Sequence, residues 1–289
     1  MSEARIGRRR PARSYFWWRV RQSPLMIVGL AIIAAIVIIV AVPQLLATHD
    51  PNAVDIRMRL AAPGWTHFFG TDEVGRDIYS RVIHGARQSV GVGFFIVLIA
   101  GTSGVLIGAF SGIVGGRTDT AIMRIMDVVL SVPSLVLTIA LAAALGPSLF
   151  NAMLAIALVR IPFYVRLTRG QTLSLREIGY VQAARSFGAS RWHLIRWHVG
   201  PNTLSPIIVQ ATLDLGAAIL MASALSFIGL GAQQPTAEWG AMVATGRTYI
   251  FDQWWYSAFP GFAILVAASG FNLFGDGLRD ILDPKERGR

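Results

Sequence analysis

The chain has 289 residues, 54% of them hydrophobic and only 15% charged. Soluble domains run near one quarter charged, so the composition points to a membrane protein; the length suits one or two soluble domains and equally roughly six membrane spans with short connections. No cysteine is present, which excludes disulfides and thiolate-bound metals. The net charge is +10, almost all arginine. The only lysine, Lys285, sits in the C-terminal tail with no Gly-rich loop before it, which excludes a Walker-type ATP site.

Residues 1–24 carry seven arginines. "SYFWWRVRQS", Ser14 to Ser23, predicts an interfacial helix with Trp17 and Trp18 at headgroup depth. Arg8-Arg9-Arg10 matches a twin-arginine export signal superficially, but topogenic charge is the favoured explanation. The first apolar run, Leu25 to Ala47, is 23 residues without a charge. At about 1.5 Å per residue it crosses a core of ~30 Å, and no A-x-A cleavage site follows, so it predicts a retained anchor (25–47). Residues 48–88 then form an external loop. Its "GTDEVGRD" segment does not have EF-hand spacing, and Asp72, Arg76 and Asp77 are read as a local charge network.

Five further runs, within residues 89–278, predict spans: Ser89–Phe110, Ala121–Leu145, Leu149–Thr168, Leu204–Leu230 and Trp255–Leu278. They contain Gly, Pro and scattered polar groups, which packed helices around a pathway tolerate and a lone lipid-exposed anchor does not. Asp127 lies three residues after Arg124, which predicts a local pair. Asp214 and Asn272 fall at membrane depth and are pathway candidates. For Asp214 a helix–helix hydrogen bond or a protonated form is the favoured alternative, because no basic residue is evidently placed to pair with it. Asp276, near Arg279, belongs to the inner boundary. "LGAQQPTAEWGAMVATGRTYIFDQWW", Leu230 to Trp255, predicts an external segment with a short surface helix. The arginine balance puts both termini and residues 279–289 inside. The histidines are scattered, and His193 and His198 are five apart, so no metal site is expected.

The stretch "GYVQAARSFGASRWHLIRWHVGPN", residues 179–202, lies inside between two spans. Val181 to Phe187 predicts a short helix with Ala183-Ala184 as a small-residue face. Gly188 fits a left-handed turn and Ser190 an N-cap. A second helix follows with Trp192, Ile195 and Val199 on one side, ended by Pro201. By periodicity this is either an interfacial hairpin or a docking element for a soluble partner.

This stretch resembles the EAA loop of ABC importer permeases. "HFFGTDEVGRDIYSRVIHGARQSVGVG", "MDVVLSVPSLVLTIAL", "LSFIGLGAQQPTAEWGAM", "WWYSAFPGFAI" and "FNLFGDGLRDILDP" are similar, in the same order, to the C-type permease of the peptide/nickel class. Two positions depart from the pattern. Gln182 stands where the loop's glutamate is usual, and Met221 where an acid would precede Ala222. The resemblance implies an all-α integral membrane protein with six transmembrane helices, a type I importer permease with a cytoplasmic coupling helix. It implies a second homologous permease, two ATPase subunits that hold the ATP and magnesium, and an external substrate-binding protein. It also implies a bacterial inner-membrane location, with no cofactor in this chain and no nucleic-acid partner. The ATPase-coupling residues would be Gln182, Ala183, Ala184, Arg185, Gly188, Ala189, Ser190, His198 and Pro201. The substrate would be a di- or oligopeptide, with nickel chelates, glutathione or haem as alternatives. A stand-alone secondary transporter is disfavoured by the lack of inverted repeats. A membrane enzyme is disfavoured by the absence of H-E-x-x-H, of G-x-S-x-G and of a catalytic carboxylate pair.

Overall fold

The computed structural model describes residues 23–282. The expected interfacial helix with Trp17 and Trp18, and the tail beyond Leu282, lie outside these residues. Besides two single 3-10 turns, ten α-helices follow in chain order among these residues: α1 (Pro24–Ala41), α2 (Pro43–Leu46), α3 (Ile78–Val114), α4 (Gly116–Ser131), α5 (Ser134–Leu145), α6 (Leu149–Arg176), α7 (Gly179–Ser186), α8 (Arg191–Phe227), α9 (Trp239–Gly246) and α10 (Trp255–Leu282). Five of them (α1, α3, α6, α8 and α10) are long and apolar enough to cross a membrane. The bent pair α4 and α5 makes up to six when taken as one span. Backbone groups in lipid must be satisfied within the segment, which is why every spanning piece is a helix.

Several boundaries differ from hydropathy alone, each for a local reason. The first apolar run is divided at Val42 because Pro43 cannot continue the hydrogen-bond ladder of α1. The run Ala121–Leu145 is broken between α4 and α5, which meet at 90°. There Pro133 pushes Val132 into extended backbone (φ −94°, ψ 135°). Helix α3 begins at Ile78, inside the segment expected as loop. Asp77 caps it by accepting from the Ser80 amide at 2.7 Å. Its 37 residues, roughly 55 Å at the helical rise, exceed a hydrocarbon core. Arg81, buried, and His84, half-buried, therefore sit in turns that hydropathy rejects but protein surrounds, while Arg87 on the same helix stays exposed.

The bundle is held by close approaches rather than by bulk. Gly104, Gly108 and Gly112 line one face of α3 against α6. A Cβ on Gly104 would stand 2.3 Å from Cβ of Tyr164, and one on Gly108 would stand 2.5 Å from the Val165 carbonyl oxygen. This is the small-residue contact that lets helices in lipid gain dispersion where no hydrophobic drive between them exists. Gly29 and Gly270 make the same kind of contact between α1 and α10. Around these seams two apolar clusters form, one centred on Ile96, Ile156, Tyr164 and Leu225, the other on Ile78, Ile219, Trp239 and Phe271.

The two ends of the bundle differ. At one end stands the 179–202 insert. At the other, α9 and the loops before α3 and α10 form a cap. The expected short helix of the Leu230–Trp255 segment is present as α9, but it is tucked in rather than lying on the surface. Trp239, Gly240, Ala241 and Met242 are buried, and the Trp239 indole donates to the Val82 carbonyl at 2.9 Å. Glu238, also buried, caps α9 by accepting from the Gly240 and Ala241 amides at 3.0 and 2.8 Å and from the Ser89 hydroxyl at 3.1 Å. A carboxylate at that depth is held by three donors, as burial of charge requires.

Candidate functional site

The insert is a helical knuckle built from local chemistry. Helix α7 ends in a Schellman turn: the Ala189 amide donates to the Ala184 carbonyl at 3.1 Å and the Gly188 amide to that of Arg185 at 3.0 Å. Gly188 takes φ +84°, which suits a residue without Cβ. The Ser190 hydroxyl then accepts from the His193 amide at 3.2 Å and starts α8. Both features agree with the expectation from sequence.

Two others do not. Pro201 does not end the second helix, which runs on into the span as α8. Proline has no N–H and crowds the preceding turn; α8 responds by widening into a π turn over Leu194–Val199. Trp192 is not on one side with Ile195 and Val199. It is 61% exposed, whereas those two are buried against Ala109, Ile113 and Leu175 at the ends of α3 and α6. The extra residue of the π turn rotates Trp192 away from the face that an α-helical spacing assigns to it.

The knuckle therefore has a root and a tip. In the root, Val181, Leu194, Ile195 and Val199 are buried, each side chain contributing about 1.5–3 kcal/mol. Asn202 adds bonds to the Tyr180 hydroxyl at 3.1 Å and the His198 carbonyl at 2.7 Å. His198 and Pro201 belong to this root. At the tip, Ala184, Gly188, Ala189 and Ser190 come together around an open hollow with Phe187 and His193. Phe187 is 91% exposed, and Gln182, Ala183 and Arg185 are exposed on α7. The Gln182 amide group is turned back onto the Glu177 carbonyl at 3.3 Å. Residues 179–202 contain three arginines and no acid. The surface is thus small-residued, aromatic and cationic, and suits a concave apolar or acidic counterpart.

Inside the bundle, Arg160, Tyr164, Leu167 and Gln171 repeat along one face of α6 toward Gln210 and Asp214 of α8. Asp214 has a basic partner after all: Arg160 Nη1 lies 2.9 Å from its Oδ1. The Tyr164 hydroxyl donates to its other oxygen at 3.1 Å. Asp214 is 3% exposed, so this is a satisfied helix–helix contact, with Arg160 the less buried of the two charges. Asn272 sits on a different seam, beside Gly216 between α8 and α10. A cleft of about 540 Å³ opens between α6, α8 and α10 at the insert end, lined by Gln171, Asn202, Ser205, Gln210, Leu213 and Arg279 among others. Neither Asp214 nor Asn272 lines it.

Charge pairs at the insert end were also not legible locally. Asp127 pairs with Arg166 of α6 at 2.5 Å instead of with Arg124. Asp119 takes a bidentate contact from Arg169 at 2.6 and 2.7 Å and accepts from the Ser111 hydroxyl, tying α3, α4 and α6 together. At the opposite end the expected network divides in two. Arg76 meets Asp72 at 2.5 Å and Glu73 at 3.3 Å. Arg81, 1% exposed, lies 3.7 Å from Asp72 and donates to the carbonyls of Pro51 and Pro235. Asp77 is absent from this group. It caps α3 and contacts His67 at 2.9 Å.

The profile of a family described as "Binding-protein-dependent transport system inner membrane component" matches residues 104–288. A second, "N-terminal TM domain of oligopeptide transport permease C", matches residues 13–63. Among curated proteins, the chain is 64% identical over 272 residues to the "Probable D,D-dipeptide transport system permease protein" of Escherichia coli K12, covering 94% of this chain and 91% of that one. It is 46% identical over 267 residues to a dipeptide transport system permease protein of Alkalihalophilus pseudofirmus, covering 92% and 88%. It is 39% identical over 271 residues to a glutathione transport system permease protein of Pectobacterium atrosepticum, covering 93% and 90%.

Proposed function

The chain belongs to the family of binding-protein-dependent transport system inner membrane components, and on that premise we propose that it forms half of the pathway of an ATP-driven importer of small peptides. Dipeptide permeases at 64% and 46% identity over nearly the whole chain support the substrate class. The glutathione permease at 39% identity keeps a modified tripeptide as the second reading. On the arginine balance, the insert end and both termini face the cytoplasm and the α9 cap faces outward. The other half is a second, homologous permease. ATP and magnesium bind to two ATPase subunits beneath the pair, and an external binding protein delivers the peptide to the cap.

The observation that carries this reading is the knuckle. Its tip is open and acid-free, and its root is packed against the ends of α3 and α6 and continues into the span of α8. A partner that moves the tip must move those helices, which is the mechanical requirement for a ligand on one subunit to bias two arrangements of another. Gln182 keeps the shape of the tip and removes a carboxylate, so the contact rests on fit rather than on an ion pair there.

Substitution of Gly188 by arginine tests it. No neighbouring atom lies within 4 Å of a Cβ at Gly188. The bulk therefore projects outward, and only the positive φ adds strain, of order 1–2 kcal/mol locally. In detergent, the Gly188→Arg permease is expected to stay paired with its partner permease and to lose the ATPases, with ATP-driven peptide uptake falling at least tenfold. Retention of the ATPases and of uptake would make the insert an interfacial hairpin and revive a transporter working alone.

A further inference from the structure

Two histidines far apart in sequence converge on one carboxylate at the α9 end of the bundle. His49 follows α2, His67 lies in the loop before α3, and Asp77 is the α3 cap. Their ligand atoms all lie within 4.8 Å of one another. His67 Nδ1 is 2.9 Å from Asp77 Oδ1, and His49 Nδ1 is 3.9 Å from Asp77 Oδ2. The two rings are tilted against each other with centroids 4.7 Å apart.

We propose that His49, His67 and Asp77 bind a divalent transition-metal ion of the zinc type, as three protein ligands with a fourth position left to solvent. Two imidazoles and a carboxylate are the donor set such ions select, and three ligands plus water is a common open geometry. With metal–donor bonds of about 2.0–2.1 Å, tetrahedral donors stand about 3.3 Å apart. The contacts of 2.9 and 3.9 Å, made to the two different oxygens of Asp77, bracket that value, and the ligand atoms spread to at most 4.8 Å, so side-chain adjustments of up to about 1.5 Å gather them round the ion.

The surroundings hold the ligands in place. Asp77 is 1% exposed, and its Oδ2 is fixed by the Ser80 amide at 2.7 Å. The Ser80 hydroxyl accepts from the His49 amide at 3.0 Å, which ties the His49 loop to the start of α3. The Thr48 hydroxyl, 3.0 Å from His49 Nδ1, is a polar neighbour the ion must displace or join. Outer partners of this kind orient metal ligands elsewhere. The imidazoles offer a graded approach from solvent, His49 at 37% exposure and His67 at 12%. A bound ion would pin three separate segments of the cap to one another.

The test uses the full chain purified with the subunits that accompany it, stripped with a chelator and titrated with Zn²⁺ while bound zinc is counted by elemental analysis. One zinc per copy of this chain is expected, with affinity reduced at least tenfold in His49→Ala and in His67→Ala. Asp77→Asn is expected to lose zinc to the same degree while keeping its metal-free melting temperature, because asparagine caps a helix as well as aspartate. If that variant fails to fold, the exposed His49→Ala decides. His193→Ala, at the opposite end and with its ring 5.7 Å from that of His198, is expected to bind as wild type does. No saturable zinc binding, or binding that survives the His49→Ala/His67→Ala double substitution, would overturn the site and leave His67 as a plain hydrogen-bond partner of Asp77.

Discussion

Replacing Arg160 by leucine is expected to be among the most damaging single changes in the chain, worse than replacing the acid it faces. Asp214 would keep its burial and lose its counter-charge, retaining only the Tyr164 hydroxyl. Removing one member of a buried pair costs roughly 3–5 kcal/mol, because the remaining charge is left without compensation. Asp214→Leu should cost less, since Arg160 is 27% exposed and its guanidinium is the less buried of the two charges. The double variant Arg160→Leu/Asp214→Leu removes both charges and is expected to recover most of the loss. Melting of the detergent-solubilised complex, followed by tryptophan fluorescence, gives the stabilities, and ATP-driven uptake gives the role. Recovery of both stability and uptake in the double variant would confirm the pair as a helix–helix contact. Recovered stability with uptake still absent would instead place the pair in the path of the substrate.

The second large effect is expected on the α3–α6 seam. Gly108→Ala puts a Cβ 2.5 Å from a backbone carbonyl, which has no rotamer by which to yield, so the helices must part. Overpacking of this kind costs typically 1–3 kcal/mol, and the upper end is expected where the clash is with backbone. Gly104→Ala meets the Cβ of Tyr164, itself close to backbone, and should cost nearly as much. It also displaces the residue that bonds Asp214, so Gly104→Ala and Asp214→Leu should not add. Gly101→Ala is the internal control. Its Cβ would meet Tyr164 at 3.8 Å, an ordinary contact, and the change is expected to lie within about 0.5 kcal/mol of wild type. The yield of monodisperse complex and the melting temperature rank the three; equal effects at positions 101 and 108 would mean that the seam is looser than its distances indicate.

What the sequence shows and what it hides follow a physical division. The knuckle was legible down to its turn glycine and capping serine, because those features depend on φ and on bonds three to five residues long. Spans were legible because lipid imposes one rule on every long apolar run. Ends of helices were less so: Arg81 looks like a loop residue until the cap carbonyls that receive it are known. The kink before Pro133 had a local signal, and averaging hydropathy over a span erased it. Partners across the bundle were not legible at all. Arg160 and Asp214 come from different helices, as do Arg166 and Asp127, and nothing in either neighbourhood selects one partner over another. His49 and His67 looked scattered for the same reason.

The π turn at the base of α8 has a geometric consequence. A helix advances about 100° per residue. The one residue that the wide turn holds beyond the α-helical count therefore sets the compass bearing of everything before it relative to the span after it. Phe187 and the Gly188 hollow face where they do because of a residue count some ten positions away. Deleting a single residue between Leu194 and Val199 would leave every span and every tip residue in place, and would point the knuckle about a quarter of a turn off target.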